Sequence, residues 1–348
     1  MTSTATISDV AKMAGVSIKT VSRVVNHEPN VKANTRGLVN QAIAELNYKP
    51  SLAARGLASG RSFLIGLLYD NLSDSFLVEL QRGILGACRE KHYGLALCPA
   101  FSKSIDVKTG ILEWIRTTQP DGVILSPPLS DNAGVIDALK ATGLKFVSVS
   151  SAGTGQGPAV HIDEAEAAQQ MTRHLIEAGH TKIGFVKGPL NHACTRLRYE
   201  GFCAAMCSAG LAIDDALVTG GDFHFETGVE AAEKLLSGHN RPTAIFASND
   251  DMAAGVMHVA HRKGLSIPSD LAVAGFDDTP ISRQIWPGLS TVKQPVELIG
   301  RTATERLMAE ILRAKKENGL NEAAADDEIA NSDVLSFELM LRASTTGN

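Results

Sequence analysis

The sequence predicts an α/β protein: a small all-α head followed by a long body of doubly wound parallel sheet. Three observations predict it. From Phe63 onward, short β-rich runs alternate with longer helical segments. Before that point, apolar residues recur at helical spacing and are broken by a glycine in a helix-turn-helix pattern. The charge divides at the same place. Residues 1–61 hold eight Lys and Arg against three carboxylates, a net of +5, in a chain whose total is −5, which leaves −10 on the remainder.

A basic head on an acidic body points to a polyanion partner for the head alone. The 348 residues, 44% of them hydrophobic, suffice for two or three domains with buried cores. No apolar run reaches the ~18 residues of a membrane span, and no signal-peptide pattern precedes the first periodic segment, so a cytoplasmic location is expected. The five cysteines are odd in number and lack a C-x-x-C spacing. That fits a reducing compartment with buried thiols rather than disulfides or zinc.

In the head, Thr6 is placed to cap a helix over "ISDVAKMA", with Ile7, Val10, Ala11 and Ala14 on one face. Gly15 ends it, because glycine accepts the left-handed conformation of a tight turn. Ser17 caps a second helix, whose Val21, Val24 and Val25 face the first. Ile18, Lys19, Ser22 and Arg23 lie on the other side, and Lys19 and Arg23 stand above each other at i, i+4. Such a face fits a DNA major groove. Arg forks onto guanine, Lys reaches the same atoms and Ile18 can pack on a thymine methyl. Thr20 and Ser22 are expected at phosphates. A third helix is expected near 34–46, on Val39, Ile43 and Leu46, with Gly37 inside it costing about 1 kcal/mol relative to Ala. Pro50 breaks that helix, and Ser51 can cap a short segment over 52–58 that is too short to be stable alone.

The body alternates "FLIGLLY", "GLALCPA", "GVILSP", "KFVSVS", "AVHI", "KIGFVKG", "TAIFAS" and "LAVAGF" with longer periodic stretches. This is the βαβ rhythm of parallel sheets with helices on both faces. Enzyme and nucleotide signatures are missing. "DNLSDSF" after the first strand has no glycine, "GTGQG" at 153–157 runs into Pro158, and "GLASGRS" lacks the phosphate-loop spacing. Neither a G-x-S-x-G elbow nor H-E-x-x-H occurs. His258 and His261, three apart, read as a solvated face rather than a metal pair. No catalytic residue, cofactor or metal is expected.

"TISDVAKMAGVSIKTVSRVVN" followed by "YKPSLAARGLASGRS" resembles the head and hinge of the LacI/GalR family of bacterial transcription regulators. Body landmarks follow in family order: "FLVELQRGI", "QPDGVILSP", "HLIEAGHTKIGFVKGP", "RLRYEGF", "TAIFASNDDMAAGVM", "LAVAGFDDTPIS", "LSTVKQP" and "SFELMLRAST". The resemblance covers nearly the whole chain. It implies a helix-turn-helix domain over 1–49, a hinge helix and linker over 50–61, and a body like a periplasmic sugar-binding protein. The two body subdomains would be 62–162 plus 291–320 and 163–290 plus 321–348, joined by three crossovers with ligand in the cleft. It implies operator contacts at Thr6, Ser17, Ile18, Lys19, Thr20, Ser22, Arg23, Asn26, Ala54 and Leu57, with Leu57 wedged into the minor groove. One departure stands out: Lys32 replaces the usual small N-cap hydroxyl of the third helix, so that cap is weak or shifts to Asn34.

In open α/β sheets the C-terminal strand ends face the cleft. Asn249 follows "TAIFAS", Asp277 ends "LAVAGF", and Arg198 lies on a helix near another strand end. Together they can fork onto vicinal hydroxyls, although Asp277 and Arg198 could also pair only with each other. The resemblance adds Phe223 as an aromatic platform, or else as core, and Ser75, Phe76 and Ser126 from the first subdomain. Ser150 stands where many relatives have Asp. Asp250 and Asp278 are expected behind the ligand or in subdomain closure, Trp286 at the cleft mouth or in core, and Gln294 matches a family position. Residues 318–332 read as an exposed loop. The resemblance implies a homodimeric repressor of carbohydrate-utilisation genes on a palindromic operator, released by a mono- or disaccharide. The alternatives are a purine or nucleoside effector, or a ligand acting as corepressor.

Overall fold

The computed structural model describes residues 5–25, 30–48, 61–70, 73–100, 106–149, 157–238, 240–319 and 332–346. Asn26, Ala54 and Leu57, the segment 50–60 and Ser150 lie outside them. The chain divides into two compact units, 1–63 and 64–348.

The first unit is the all-α head. Helix α1 (Ile7–Ala14) starts at a capping box: the Thr6 hydroxyl accepts from the Asp9 amide, and the Asp9 carboxylate accepts from the Thr6 amide at 2.8 Å. That box holds the Asp9 carboxyl below its usual range, through the Thr6 amide first and the Thr6 hydroxyl second. Gly15 ends α1 in the left-handed region at φ 64°. Helix α2 (Ile18–Val25) is started by Ser17, whose Oγ accepts from the Thr20 amide at 3.2 Å. Val10, Val21, Val24, Val39, Ala42 and Tyr48 form the buried core. This core turns Ile18, Lys19 and Arg23 outward, with Ile18 50% exposed despite its apolar side chain.

Helix α3 (Ala33–Glu45) begins without a side-chain cap, because Lys32 offers no acceptor. Asn34 does not take over. It lies inside the helix, two positions past the N-cap Lys32 and too late to bond the free amides. Gly37 sits in the interior of α3 with no atom within 4 Å of where a Cβ would stand.

The body holds two six-stranded sheets. The first is built from β1 (Leu64–Tyr69), β2 (Gly94–Pro99), β3 (Gly122–Leu125), β4 (Lys145–Val149) and β5 (Ala159–Ile162), with β11 (Ser332–Leu335) at its edge, in the order β11-β5-β4-β3-β1-β2. Its helices are α4 (Asp74–Glu90), α5 (Val107–Thr118), α6 (Ala133–Thr142) and α12 (Val296–Gly319). The second contains β6 (Ile183–Lys187), β7 (Val218–Gly220), β8 (Ala244–Ala247), β9 (Ala272–Asp277) and β10 (Ser290–Lys293), with β12 (Glu338–Met340), in the order β12-β10-β9-β8-β6-β7. Its helices are α7 (Glu164–Glu177), α8 (Ala193–Ser208), α9 (Phe225–Ser237), α10 (Asp250–Arg262), α11 (Ile281–Gln284) and α13 (Ala343–Thr346). Every strand pair is parallel except β10 with β12. The runs "IGLL" and "AIFA" are buried on both faces, as sheets covered on two sides require.

The chain crosses between sheets after Ile162, after Lys293 and between Leu335 and Glu338. Two expected boundaries are corrected by this. Residues 291–293 belong to β10, in register with β9 of the second sheet, and β11 pairs with β5 of the first sheet. Strands of four residues carry too little periodicity to declare their sheet. Residues 318 and 319 belong to α12 rather than to a loop.

Replacing Gly37 by Ala should slow amide hydrogen exchange in α3 of the intact chain, raising its opening free energy by about 1 kcal/mol. No gain would contradict the open, uncrowded interior position.

Candidate functional site

The C-terminal ends of β1, β3, β6, β8 and β9 converge on a cleft between the two subdomains, with about 410 Å³ of space not occupied by atoms, its mouth included. The first subdomain contributes Ser73, Phe76 and Pro127. The second contributes Glu164, His192, Cys194, Arg198, Phe223, Asn249, Asp277 and Gln294.

Arg198 organises the floor. It lies on the second turn of α8, and its side chain is 5% exposed. Its Nε donates to Glu164 Oε2 at 2.8 Å, its Nη1 donates to the Ser248 carbonyl at 2.5 Å, and its Nη2 stands 3.7 Å from Asp277 Oδ1. The guanidinium carbon lies 3.6 Å over the centre of the Phe276 ring. Burial opposes its charge, but Glu164 and then Asp277 more than offset that, so its pKa stands above the ordinary value. Asp277 is pushed up to about 7 by burial, against the pull of Arg198 and of Gln294, whose Nε2 donates to Oδ1 at 2.7 Å. Arg198 and Asp277 thus do come together, but within a wider set that includes Glu164.

The walls are held by unusual backbone. Phe223 at φ 72°, Asp277 at 111° and Asp278 at 56° occupy the left-handed side that side chains disfavour. The Phe223 ring lies against Gly188, where a Cβ would come within 2.3 Å of it. His192 meets that ring edge-on at 5.4 Å. Asn249 caps α10 by accepting from the Met252 amide and donates to the Phe223 carbonyl at 2.8 Å. Burial pushes the Cys194 thiol up to about 12, so it lines the cleft uncharged.

Three buried atoms on lining residues have no hydrogen-bond partner among the described residues: Glu164 Oε1, His192 Nε2 and Gln294 Oε1. A buried polar atom left unpaired costs about 1–3 kcal/mol. Three around one cleft describe a place made to be filled by a polar ligand. Bonds between described residues span the cleft. The Ala193 amide, at the start of α8, donates to Asp131 Oδ2 at 3.2 Å, and Ser73 Oγ donates to Asp251 Oδ2 at 3.4 Å.

Five of the seven expected effector residues line the cleft: Phe76, Arg198, Phe223, Asn249 and Asp277. Ser126 does not. It is fully buried, and its hydroxyl donates to the Leu68 carbonyl, so the neighbouring Pro127 faces the cleft instead. Ser75 lines an adjoining polar recess with His224 and Asp251, and Ser73 takes its place in the main cleft. Asp250 and Asp278 lie behind the floor and bridge nothing. Asp250 accepts from Thr279 and Thr291, and burial raises its pKa well above the usual range. Asp278 pairs with Arg283 and Arg342, both of the second subdomain. Trp286 is 82% exposed, in neither the core nor the cleft lining. Among the described residues no group of three or more His, Cys, Asp or Glu is arranged to hold a metal.

Glu164 and His192 were not anticipated. Glu164 follows the α7 cap Asp163 and reads as an ordinary acidic residue of a first helical turn. His192 precedes α8 in a loop with no periodic signal.

On the head, the outward residues of α2 form a basic face: Lys19 and Arg23 are exposed with Ser17 and Ile18, while Thr20 and Ser22 are half-buried. Thr6 is exposed, but its hydroxyl is already engaged, donating to Asp9 Oδ2 at 2.7 Å.

The profile described as "Bacterial regulatory proteins, lacI family" matches residues 6–51, and that described as "Periplasmic binding proteins and sugar binding domain of LacI family" matches 62–332. The chain belongs to the LacI family. As a LacI-family protein it is a DNA-binding transcriptional regulator. It is 38% identical over 306 residues to catabolite control protein A of Priestia megaterium, covering 87% of this chain and 91% of that one. It is 35% identical over 315 residues to the ribose operon repressor of Escherichia coli (strain K12), covering 88% and 93%. A solved lac repressor dimer bound to operator and the anti-inducer ONPF superposes with a TM-score of 0.82 at 27% identity, over 99% of each chain.

Replacing Arg198 by Ala strands Glu164 and Asp277 in a buried site. The variant should lose about 3–5 kcal/mol in urea unfolding, and a loss under 1 kcal/mol would contradict the pairing. Asp277 carries a raised pKa in the folded state, so folding retains a proton that the unfolded chain releases from about pH 4. Its contribution to stability therefore falls as pH rises from about 4 to 7 and is level above that. The stability of Asp277→Asn relative to wild type should climb over that window and then flatten; a difference independent of pH would contradict the buried, proton-holding carboxyl.

Proposed function

We propose that this regulator represses carbohydrate-utilisation genes from a palindromic operator and is released when a small sugar occupies the cleft. The observation that carries the effector site is the trio of unpaired buried atoms on Glu164, His192 and Gln294 around the Arg198 floor. A sugar supplies the hydroxyls such atoms need, and its apolar face can stack on Phe223. The relatives named for the ribose operon, and the solved CelR–cellobiose complex at a TM-score of 0.71, are consistent with a carbohydrate.

In this reading the head binds operator DNA through Ile18, Lys19 and Arg23, with Thr6, Ser17, Thr20, Ser22 and Asn26 at the backbone. Ala54 and Leu57 act from the linker. Two protomers match the two halves of a palindrome. The ligand acts through its different affinity for two states of the body. The protein works by binding rather than catalysis, in the cytoplasm and on the nucleoid when operator-bound. The described residues contain no helix long and apolar enough to cross a membrane.

A second reading has one observation in its favour. Repressors named PurR, among them that of Haemophilus influenzae (strain PittEE), are 34% identical over 330 residues. Phe223 can stack on a purine as well as on a sugar, and the ligand would then serve as corepressor.

Selection of duplexes from a random pool should return a palindrome. Replacing Arg23 by Ala should weaken binding to it by about ten- to hundredfold and relax one base position in each half. Retention of every duplex alike would remove the sequence-reading role of α2. A thermal-shift comparison of mono- and disaccharides with nucleosides should give stabilisation by a saccharide; stabilisation by nucleosides alone would favour the purine reading.

A further inference from the structure

We propose that the effector is an uncharged molecule rich in hydrogen-bond donors, carrying no phosphate or carboxylate, and that His192 selects it by accepting one of its hydrogens at Nε2. The inference rests on the reading that the cleft is the effector site, and it goes further by fixing the charge and polarity of the occupant.

Three facts lead there. First, the unpaired atoms are acceptors. Glu164 gives Oε2 to Arg198 and keeps Oε1 free. Gln294 spends its amide nitrogen on Asp277 and keeps Oε1 free. His192 Nδ1 bonds Asn191 Oδ1 at 3.0 Å; an amide oxygen only accepts, so Nδ1 carries the proton and Nε2 is a bare lone pair. Burial first, and the Arg198 charge second, lower the His192 pKa to about 4, so the ring does not protonate to become a donor near neutrality. Second, Arg198 is the one cation among the described lining residues, and it is committed to Glu164, the Ser248 carbonyl and Asp277. An anionic ligand would meet the Glu164 and Asp277 carboxyl groups with no uncommitted positive charge to offset them. Third, the acceptors line one cleft with the Phe223 ring, and His192 itself touches that ring edge-on. A ligand stacked on Phe223 would therefore come within reach of the imidazole. Hydroxyls or ring N–H groups satisfy this set, and a phosphate or carboxylate does not.

The test is calorimetric titration of the intact chain with paired probes: D-ribose and D-ribose 5-phosphate, D-glucose and D-glucose 6-phosphate, inosine and inosine 5′-monophosphate. At least one neutral probe should bind, and its phosphorylated partner should bind at least about tenfold more weakly, the scale of one unmatched charged group. His192→Phe keeps an aromatic ring beside Phe223 but removes the acceptor, and should weaken the neutral probe by about ten- to hundredfold. His192→Gln, which returns an acceptor oxygen, should recover most of that loss. Melting of each ligand-free variant checks that it is folded, and the Gln variant carries the test if the Phe variant is not. A phosphorylated probe that binds as well as its neutral partner overturns the proposal, as does wild-type affinity in His192→Phe, or in His192→Gln failure of a folded protein to bind the neutral probe. Binding of inosine with neither sugar removes the carbohydrate reading and supports this one. Binding of none of the six at millimolar concentration overturns both.

Discussion

The body's architecture turns on the buried guanidinium of Arg198. A cation this deep is tolerable only when each of its faces is occupied, because desolvation costs several kcal/mol per ion after relaxation. Glu164 from α7, the Ser248 carbonyl after β8, Asp277 at the end of β9 and the Phe276 ring supply those faces. Three segments distant in sequence are thereby tied to one point on α8. The cleft inherits its character from this arrangement. The charge is used up inside the floor, and what faces the ligand is a set of lone pairs.

The walls follow from backbone that the sheet would not adopt unaided. Phe223, Asp277 and Asp278 all hold positive φ, a conformation costing of order 1–3 kcal/mol each for residues with a Cβ. Neighbouring bonds sustain it. The Phe223 carbonyl accepts from Asn249, the Asp278 carboxylate accepts from Ser282, Arg283 and Arg342, and Asp250 gathers the Thr279 amide and hydroxyl and the Thr291 hydroxyl. Asp250 and Asp278 therefore brace the floor from behind. The bonds across the cleft between described residues, from Ala193 to Asp131 and from Ser73 to Asp251, are weak by comparison.

Much of this was legible in the sequence, for identifiable reasons. Long periodic segments and doubly buried strands announce themselves, so the head helices and the strand runs "LIGLLY", "AIFA" and "AVAGFD" could be read directly. Residues at strand ends could be placed in a cleft by topology alone, which located Asn249 and Asp277. The misses share a physical cause. Glu164 and His192 acquire their roles only through tertiary partners, Arg198 and Phe223, and nothing local marks them. Ser126 sits at the right strand end, but its hydroxyl turns back to the Leu68 carbonyl, and one residue of displacement exchanges it for Pro127. Strands β10 and β11 fell to the wrong subdomain because runs of only four residues, "STVK" and "SDVL", carry no pattern that says which sheet they join. Asn34 failed as a cap because α3 starts one residue before it.

The central claim is that a neutral, hydroxyl- or amide-bearing ligand completes the lone pairs around a self-neutralised Arg198. The most direct measurement is a crystal structure of the protein with the neutral compound that binds it most tightly. The account predicts ligand donors at hydrogen-bond distance, about 2.7–3.2 Å, from Glu164 Oε1, His192 Nε2 and Gln294 Oε1, with the bonds from Arg198 to Glu164 and Ser248 intact. A ligand oxygen seated on Arg198 in place of Glu164, with those three atoms still unpaired, would contradict it.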